Sequence, residues 1–381
     1  MKKTILVVLV VWAFHSGIAH AKPRARELGI PFEGTPGPLN AITDVKGVEV
    51  GHVTLISGVS KRGIVDGVAR TGVTAVWPIK KNISPLAAGV FTENGNGEMT
   101  GYAVIEETGL LEGPVMMTNT QSVGVVRDAT VEWFIKHFPV VEESFLPLVG
   151  EVDDSWLNDM YGFHVKKEHV FKALDSTKSG PVEEGNVGAG TGGHTCHFKA
   201  GIGTASRMVG GGYTVGVLVQ SNWGHRTEMR IAGIRIGEVI KDLEIVENPM
   251  PPKPRRTDGS IVVVIATDAP FLPHSMKRIA RRAGLGMARL GSIGRHASGE
   301  FFIAFSTAKP ETGKKGIENW TALPLGKIDL FFEATVQAVE EAIVNAMVAA
   351  ETMHGVNGNI IHAMPLDRVL PILKQHAVLK K

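Results

Sequence analysis

The sequence predicts a layered α/β sandwich, and three observations carry that reading. Short apolar runs rich in β-branched residues recur between glycines and other turn formers, as strands do. Segments with apolar residues at helical spacing lie between them. One run, Ser260-Ile-Val-Val-Val-Ile-Ala266, is apolar without alternation, the pattern of a strand covered on both faces. Strands and helices in mixed order, with some strands fully covered, resolve into stacked layers.

Taken in order, the strand-like runs begin with Val45–Val50, Gly72–Trp77, Ala87–Phe91 and Val115–Asn119. Helical patterns follow at Ala129–His137, where Val131, Trp133 and Phe134 fall near one face, and at Val165–Leu174. A glycine-rich stretch, with eleven glycines between Gly180 and Gly212, precedes a strand at Tyr213–Gln220 that ends in Ser221-Asn222. A helix is expected over Glu228–Leu243. Residues 247–259 (ENPMPPKPRRTDG) are polar and proline-rich, as an exposed linker is. After the buried strand come a helix near Ser275–Leu290, a strand near Glu300–Ser306 and a long helix from Asp329 to about His354. That last helix has Leu330, Phe332, Val336, Val339, Ile343 and Met347 at core spacing, and Gly355 as its stop.

Composition narrows the function classes. The 381 residues, 44% of them hydrophobic, suffice for a sizeable core in one large domain or two ordinary ones. Lys and Arg number 40 against 38 acids, and two of those bases, Lys2 and Lys3, lie in the first 21 residues. The remainder is formally neutral, so bulk charge leaves no footprint for nucleic acid or anionic lipid. A single cysteine, Cys196, excludes an intrachain disulfide framework and a multi-cysteine zinc site. Residues 1–21 read as a secretory signal: two lysines, an apolar run from Ile5 to Phe14, and Ala19-His20-Ala21 at the cleavage point. The apolar run is about half of the ~20 residues that a membrane span needs. The mature chain would begin at Lys22, periplasmic or secreted.

Gly188-Ala-Gly190-Thr-Gly192-Gly193 satisfies GxGxxG, but it follows a charged segment and no βαβ unit surrounds it. His194-Thr195-Cys196-His197 offers soft ligands but lacks distant partners, and ordinary turn residues account for it better. The junction Gly259-Ser260 has two readings. It is either a loop entering a strand or a self-cleavage site, in which the Ser260 hydroxyl attacks the Gly259 carbonyl. Cleavage would leave an N-terminal serine whose α-amino group, with an ordinary pKa near 7.7–8.0, serves as the base for its own hydroxyl.

The run 259–270 (GSIVVVIATDAP) resembles the processing site of the DmpA/BapA family of N-terminal-nucleophile aminopeptidases. Further blocks resemble that family in the expected order over nearly the whole mature chain. They are residues 40–52 (NAITDVKGVEVGH), 70–76 (RTGVTAV), 94–98 (NGNGE), 118–120 (TNT) and 199–207 (KAGIGTASR). The resemblance implies a four-layer α-β-β-α sandwich of the DmpA/ArgJ-like N-terminal-nucleophile hydrolase type. It also implies an α chain of residues 22–259 and a β chain of 260–381 that stay associated in one folded domain and assemble into higher homo-oligomers. No metal or organic cofactor is required, and the substrates are short peptides, amides or esters.

By the same resemblance Ser260 is the nucleophile, Ser298 and Glu300 hold the new α-amino group, and Asn222 donates to the oxyanion. From the residues alone, Ser298 and Glu300 equally fit a turn with Glu300 in solvent, and Asn222 fits a turn asparagine. Gly224 and the glycine-rich stretch are candidate backbone donors. Glu151 is the candidate for the substrate's ammonium, since a carboxylate gives the charge-assisted bond such a group needs; a solvated surface acid is the other reading. Its block departs from the family's usual form, with Val152, Asp153 and Asp154 where an aromatic-containing turn is expected. Three rivals are a nucleotide-dependent oxidoreductase using Gly188–Gly193, a non-catalytic exported binding protein of the same fold, and an acyltransferase passing the acyl group to an amine.

Overall fold

The computed structural model describes residues 22–79, 83–138, 144–248, 259–313, 316–376 and 379. The expected signal (1–21) and most of the expected linker (249–258) lie outside the described residues. In chain order the framework strands begin with β1 (Glu49–Ser57), β2 (Ala69–Trp77), β3 (Leu86–Gly95), β4 (Leu110–Leu111), β5 (Val115–Asn119) and β6 (Leu148–Val152). They continue with β7 (His194–Thr195), β8 (Phe198–Lys199), β9 (Ile202–Val209), β10 (Tyr213–Trp223), β11 (Gly259–Thr267) and β12 (Gly299–Ser306). The helices are α1 (Tyr102–Thr108), α2 (Val123–His137), α3 (Lys167–Asp175), α4 (Ile236–Val239), α5 (Pro273–Ala280), α6 (Ala283–Arg289), α7 (Ile328–Ala349) and α8 (Leu366–Gln375).

Two sheets result. One runs β1-β2-β5-β6; the other runs β4-β3-β12-β11-β10-β7-β8, with β9 also pairing with β10. Alternation along the strands assigns their faces. On β11, Val262, Val264 and Ala266 join Val76, Val115, Met117 and Leu148 of the smaller sheet in a core between the sheets. Ile261, Val263 and Ile265 point the other way, into a core with α5, α6 and α7. The smaller sheet is covered outside by α2 and α3, through Trp133, Val126, Val170 and Leu174 on Trp77, Val73 and Met116. The order is therefore helix, sheet, sheet, helix. That is why residues 260–266 read as unbroken apolar sequence: each face of β11 meets its own core.

Several expected elements differ. The expected helix over 228–243 is a 3₁₀ turn at Arg226–Glu228, a reversal with Ala232 at φ 50°, and the four-residue α4. The left-handed backbone at Ala232 and Gly233, φ 50° and 78°, turns the chain back, and Arg226, buried at 2% exposure, donates to the carbonyls of Cys196, His197, Ile240, Asp242 and Leu243. The expected helix over 275–290 is split into α5 and α6, which brings Gly286 against α7 so tightly that a Cβ would lie 2.7 Å from Val339 Cβ. Helix α7 ends at Ala349, not near His354, because Ala350 is extended and Met353-His354 pair with Ile360-Ile361. Leu330 is exposed rather than in the core. Gly355 is a close approach to the Leu157 backbone, not a helix stop. The first strand starts at Glu49, since the chain from Val45 to Val48 makes a turn through Gly47 at φ 96°.

Candidate active site

The register of the larger sheet lines up a row of strand ends. Gly299 on β12 pairs with Ser260 on β11, Ser260 pairs with Asn222 on β10, and one residue on, Trp223 pairs with Thr195 of β7. Ser260 shares its parity with Val262 and Val264, so its side chain faces the space between the sheets. Burial of the apolar run behind it contributes about 1.5–3 kcal/mol per large side chain, which fixes the serine firmly. Gly259 sits at φ 72°, and a Cβ there would fall 2.1 Å from the Asn222 carbonyl oxygen. Only glycine meets both conditions.

Across from this row lies the end of β6. The Asp153 N–H donates to Ser260 Oγ at 3.3 Å, and Asn222 Nδ2 donates to the Asp153 carbonyl at 2.8 Å. The His194 N–H in turn donates to Asn222 Oδ1 at 3.1 Å. A cavity of about 340 Å³ opens here, lined by Ser260, Asn222 and His194 from the larger sheet and by Glu151, Thr120 and Trp156 from the facing side.

Glu151 is 2% exposed on β6, so it is not a solvated surface acid. Its Oε1 accepts the Glu98 N–H at 2.9 Å and its Oε2 accepts the Thr120 hydroxyl. Burial pushes its carboxyl up to about 7, against the pull of those two hydrogen bonds, and the Asp153 and Glu98 charges raise it further. Both partners lie in sequence blocks, 94–98 and 118–120, to which residue-level reasoning assigned no role. A buried carboxylate in this state gains most from a cation entering the cavity.

Ser298 and Glu300 flank the other side of Ser260, both buried, at 2% and 1% exposure; Glu300 is therefore not in solvent. Asn94 Nδ2 and Asn96 Nδ2 donate to the carbonyls of Arg295 and Ala297, clamping the turn that ends at Ser298. The Ser298 hydroxyl makes no hydrogen bond among the described residues. The structure thus brings Ser260, Asn222, Ser298, Glu300 and Glu151 around one end of the sandwich.

The other motifs are built differently. Gly188–Gly190 form a buried 3₁₀ turn. A Cβ on Gly188 would sit 2.3 Å from Thr74 Oγ1, and one on Gly190 would sit 2.3 Å from the Ile202 amide. These glycines serve packing within the chain, with no strand entering and no helix leaving to present a phosphate site. His194-Thr195 and Phe198-Lys199 are the two strands of a hairpin whose turn residues, Cys196 and His197, have φ of 50° and 62°. The Cys196 thiol is buried, which pushes its pKa up. Gly224 packs against Cys196 Sγ at φ 84°. Sequence reasoning missed His194, Thr120 and Trp156 as cavity residues, because their convergence depends on pairing between distant strands.

A serine hydroxyl heading a central strand of an α-β-β-α sandwich, with polar groups gathered at that end, defines a hydrolase of the N-terminal-nucleophile class. Comparison with known proteins agrees. The chain belongs to peptidase family S58, which it matches over residues 40–361, and it is an aminopeptidase of the N-terminal-nucleophile serine type. It is 49% identical over 375 residues to the beta-peptidyl aminopeptidase BapA of Sphingosinicella microcystinivorans, covering 95% of this chain and 94% of that one. It is 47% identical to the BapA of Sphingosinicella xenopeptidilytica over 371 residues, 93% of this chain and 92% of that one. The solved structure of the L-aminopeptidase D-Ala-esterase/amidase of Ochrobactrum anthropi superposes with a TM-score of 0.85 at 42% identity, covering 94% of this chain and 100% of the other.

Proposed function

We propose that this protein is exported, cuts its own chain between Gly259 and Ser260, and then releases N-terminal residues from short peptides, amides or esters through an acyl-enzyme on Ser260. The observation that carries the proposal is the Ser298 hydroxyl, buried without a partner among the described residues beside the strand position of Ser260. A buried donor left unmade costs about 1–3 kcal/mol. An α-amino group created at Ser260 supplies the missing partner.

In processing, Ser260 Oγ attacks the Gly259 carbonyl carbon, and the C–N bond breaks as the acyl group moves to oxygen. Water then hydrolyses the ester, leaving a carboxylate on Gly259 and a free amine on Ser260. In turnover that amine takes the Oγ proton as Oγ attacks the substrate carbonyl, while Ser298 and Glu300 orient the resulting ammonium. Asn222 Nδ2, held at the end of β10, turns its N–H from the Asp153 carbonyl to the developing oxyanion. The ammonium returns its proton to the leaving amine, and water clears the ester. Glu151 holds the substrate's own ammonium. The 22–259 and 260–381 chains stay together, since β10 and β11 form neighbouring strands across the cut, and the αβ units assemble further into homo-oligomers, as native mass spectrometry can test.

The names of the two BapA relatives support peptides with an N-terminal β-amino acid as the substrate class. The decisive experiment is denaturing mass spectrometry of wild type and Ser260→Ala, with turnover of β-alanyl and L-alanyl dipeptides alongside. Two fragments split at 259/260 and peptide hydrolysis are expected from the wild type, and neither from the variant. An active Ser260→Ala protein removes the proposal.

A further inference from the structure

His194 lines the same cavity as Ser260 and Glu151, and no step outlined above uses it. It is the first residue of β7 and stands next to Asn222 in the row of strand ends. Its backbone is fixed by the bond to Asn222 Oδ1. Its ring is not: the residue is 1% exposed, yet neither Nδ1 nor Nε2 has a hydrogen-bond partner among the described residues. The Trp156 ring stands edge-on to it at 6.1 Å between centroids, shaping the cavity wall without satisfying either nitrogen. Burial, aided by His197, Lys199 and His225, holds the imidazole down to about 3. At working pH it is therefore neutral, with one N–H donor and one acceptor nitrogen.

We propose that His194 binds the leaving half of a peptide substrate, its imidazole hydrogen-bonding the backbone polar groups of the residue that follows the scissile bond. Placement supports this half over the other. The substrate's amine is drawn to Glu151 on the facing sheet, and its carbonyl oxygen to Asn222. β7 lies beyond β10, two strand spacings or roughly 10 Å from β11. A group reaching His194 from a carbonyl over Ser260 is thus several bonds past the scissile carbon, on the side away from Ser298. The carboxylate of a second residue occurs there in a dipeptide and is absent from a simple amide, which shares only the scissile nitrogen. The inference rests on the reading of Ser260 as nucleophile and Glu151 as amine site.

The test compares β-alanyl-alanine with β-alanine amide, which share the acyl group. In the mature wild type kcat/KM for the dipeptide should exceed that for the amide by roughly 10- to 100-fold, the range of a buried hydrogen bond made or left unmade. His194→Phe should collapse this ratio towards one, chiefly through KM for the dipeptide. His194→Gln, which keeps a donor and an acceptor, should retain most of it. A wild type that cleaves both compounds equally well overturns the inference without needing a folded variant. So does a His194→Phe enzyme that loses both substrates in parallel, which would mark His194 as a prop for Asn222. An inactive wild type would instead overturn the functional reading, and this inference with it.

Discussion

Replacing Glu151 by Gln should make the protein more stable and less active, and the structure sets the size and pH range of both effects. The carboxyl ordinarily titrates at 4.5 and is pushed up to about 7 in the folded chain. The folded state therefore holds this proton more tightly than the unfolded state. Its advantage is complete below about 4.5 and is lost as pH rises through 7. At 1.36 kcal/mol per pKa unit, the ionised Glu151 costs about 3 kcal/mol at pH 8. Gln fits the same hydrogen bonds, with Oε1 accepting the Glu98 N–H and Nε2 donating to the Thr120 hydroxyl, so the variant escapes that cost. Its melting temperature should exceed the wild type's by roughly a few degrees at pH 8, and the gain should vanish near pH 4. Turnover moves oppositely. Loss of the charged partner for a buried ammonium costs about 2–5 kcal/mol, or roughly 30- to 3000-fold in kcat/KM. Wild-type kcat/KM should also fall as pH drops below about 7, where Glu151 is protonated, while the variant lacks that limb. Thermal melts and peptide hydrolysis across pH 4–9 measure both. A variant that is less stable than wild type at pH 8, or as active, refutes the assignment.

Gly259→Ala should block maturation, because its Cβ would fall 2.1 Å from the Asn222 carbonyl oxygen at φ 72°; mass spectrometry should find one intact chain, and normal cleavage would show that this geometry is dispensable. Cys196 should resist thiol reagents in the native protein and react once after unfolding, since burial pushes its thiol pKa up. Stoichiometric labelling under native conditions would contradict the placement of the β7–β8 turn.

What the sequence made legible was whatever depends on local pattern. The unalternating run at 260–266 announced a strand between two cores, and the spacing from Asp329 announced α7, though with an end near His354 rather than at Ala349. Gly259-Ser260 was readable as a junction where backbone freedom meets a hydroxyl. By contrast, residues 228–243 carry a helical spacing that left-handed backbone at Ala232 and Gly233 interrupts, while the buried Arg226 ties the carbonyls of Asp242 and Leu243 to that of Cys196. Asn222, Ser298 and Glu300 were readable only through family resemblance, since each residue type is ordinary beside a turn. Glu151 was identifiable as an acid but not as a buried one: its burial follows from pairing between β5 and β6 and from the closing of residues 96–98 over it. His194 was visible only as part of a four-residue motif, and the hairpin that carries it into the cavity is set by non-local pairing with β10.

The same groups explain why the site sits where it does. Its members are each poorly satisfied: the Ser298 hydroxyl and both His194 ring nitrogens have no hydrogen-bond partner among the described residues, and the Glu151 carboxyl is pushed up to about 7. At about 1–3 kcal/mol each, such defects are comparable to the net stability of a typical domain, about 5–15 kcal/mol. They are tolerable only next to a region whose burial is unusually complete, and β11 is one: every residue from Ser260 to Thr267 is buried, with a separate core on each face. In the proposed function each defect also has a distinct remedy, namely the amine released at Ser260, the leaving half of a peptide, and a substrate ammonium. An end of the sandwich that gained nothing from cleavage or from substrate would have no physical reason to leave all three unmet, and Ser298→Ala or His194→Phe should raise stability while removing the step that residue serves.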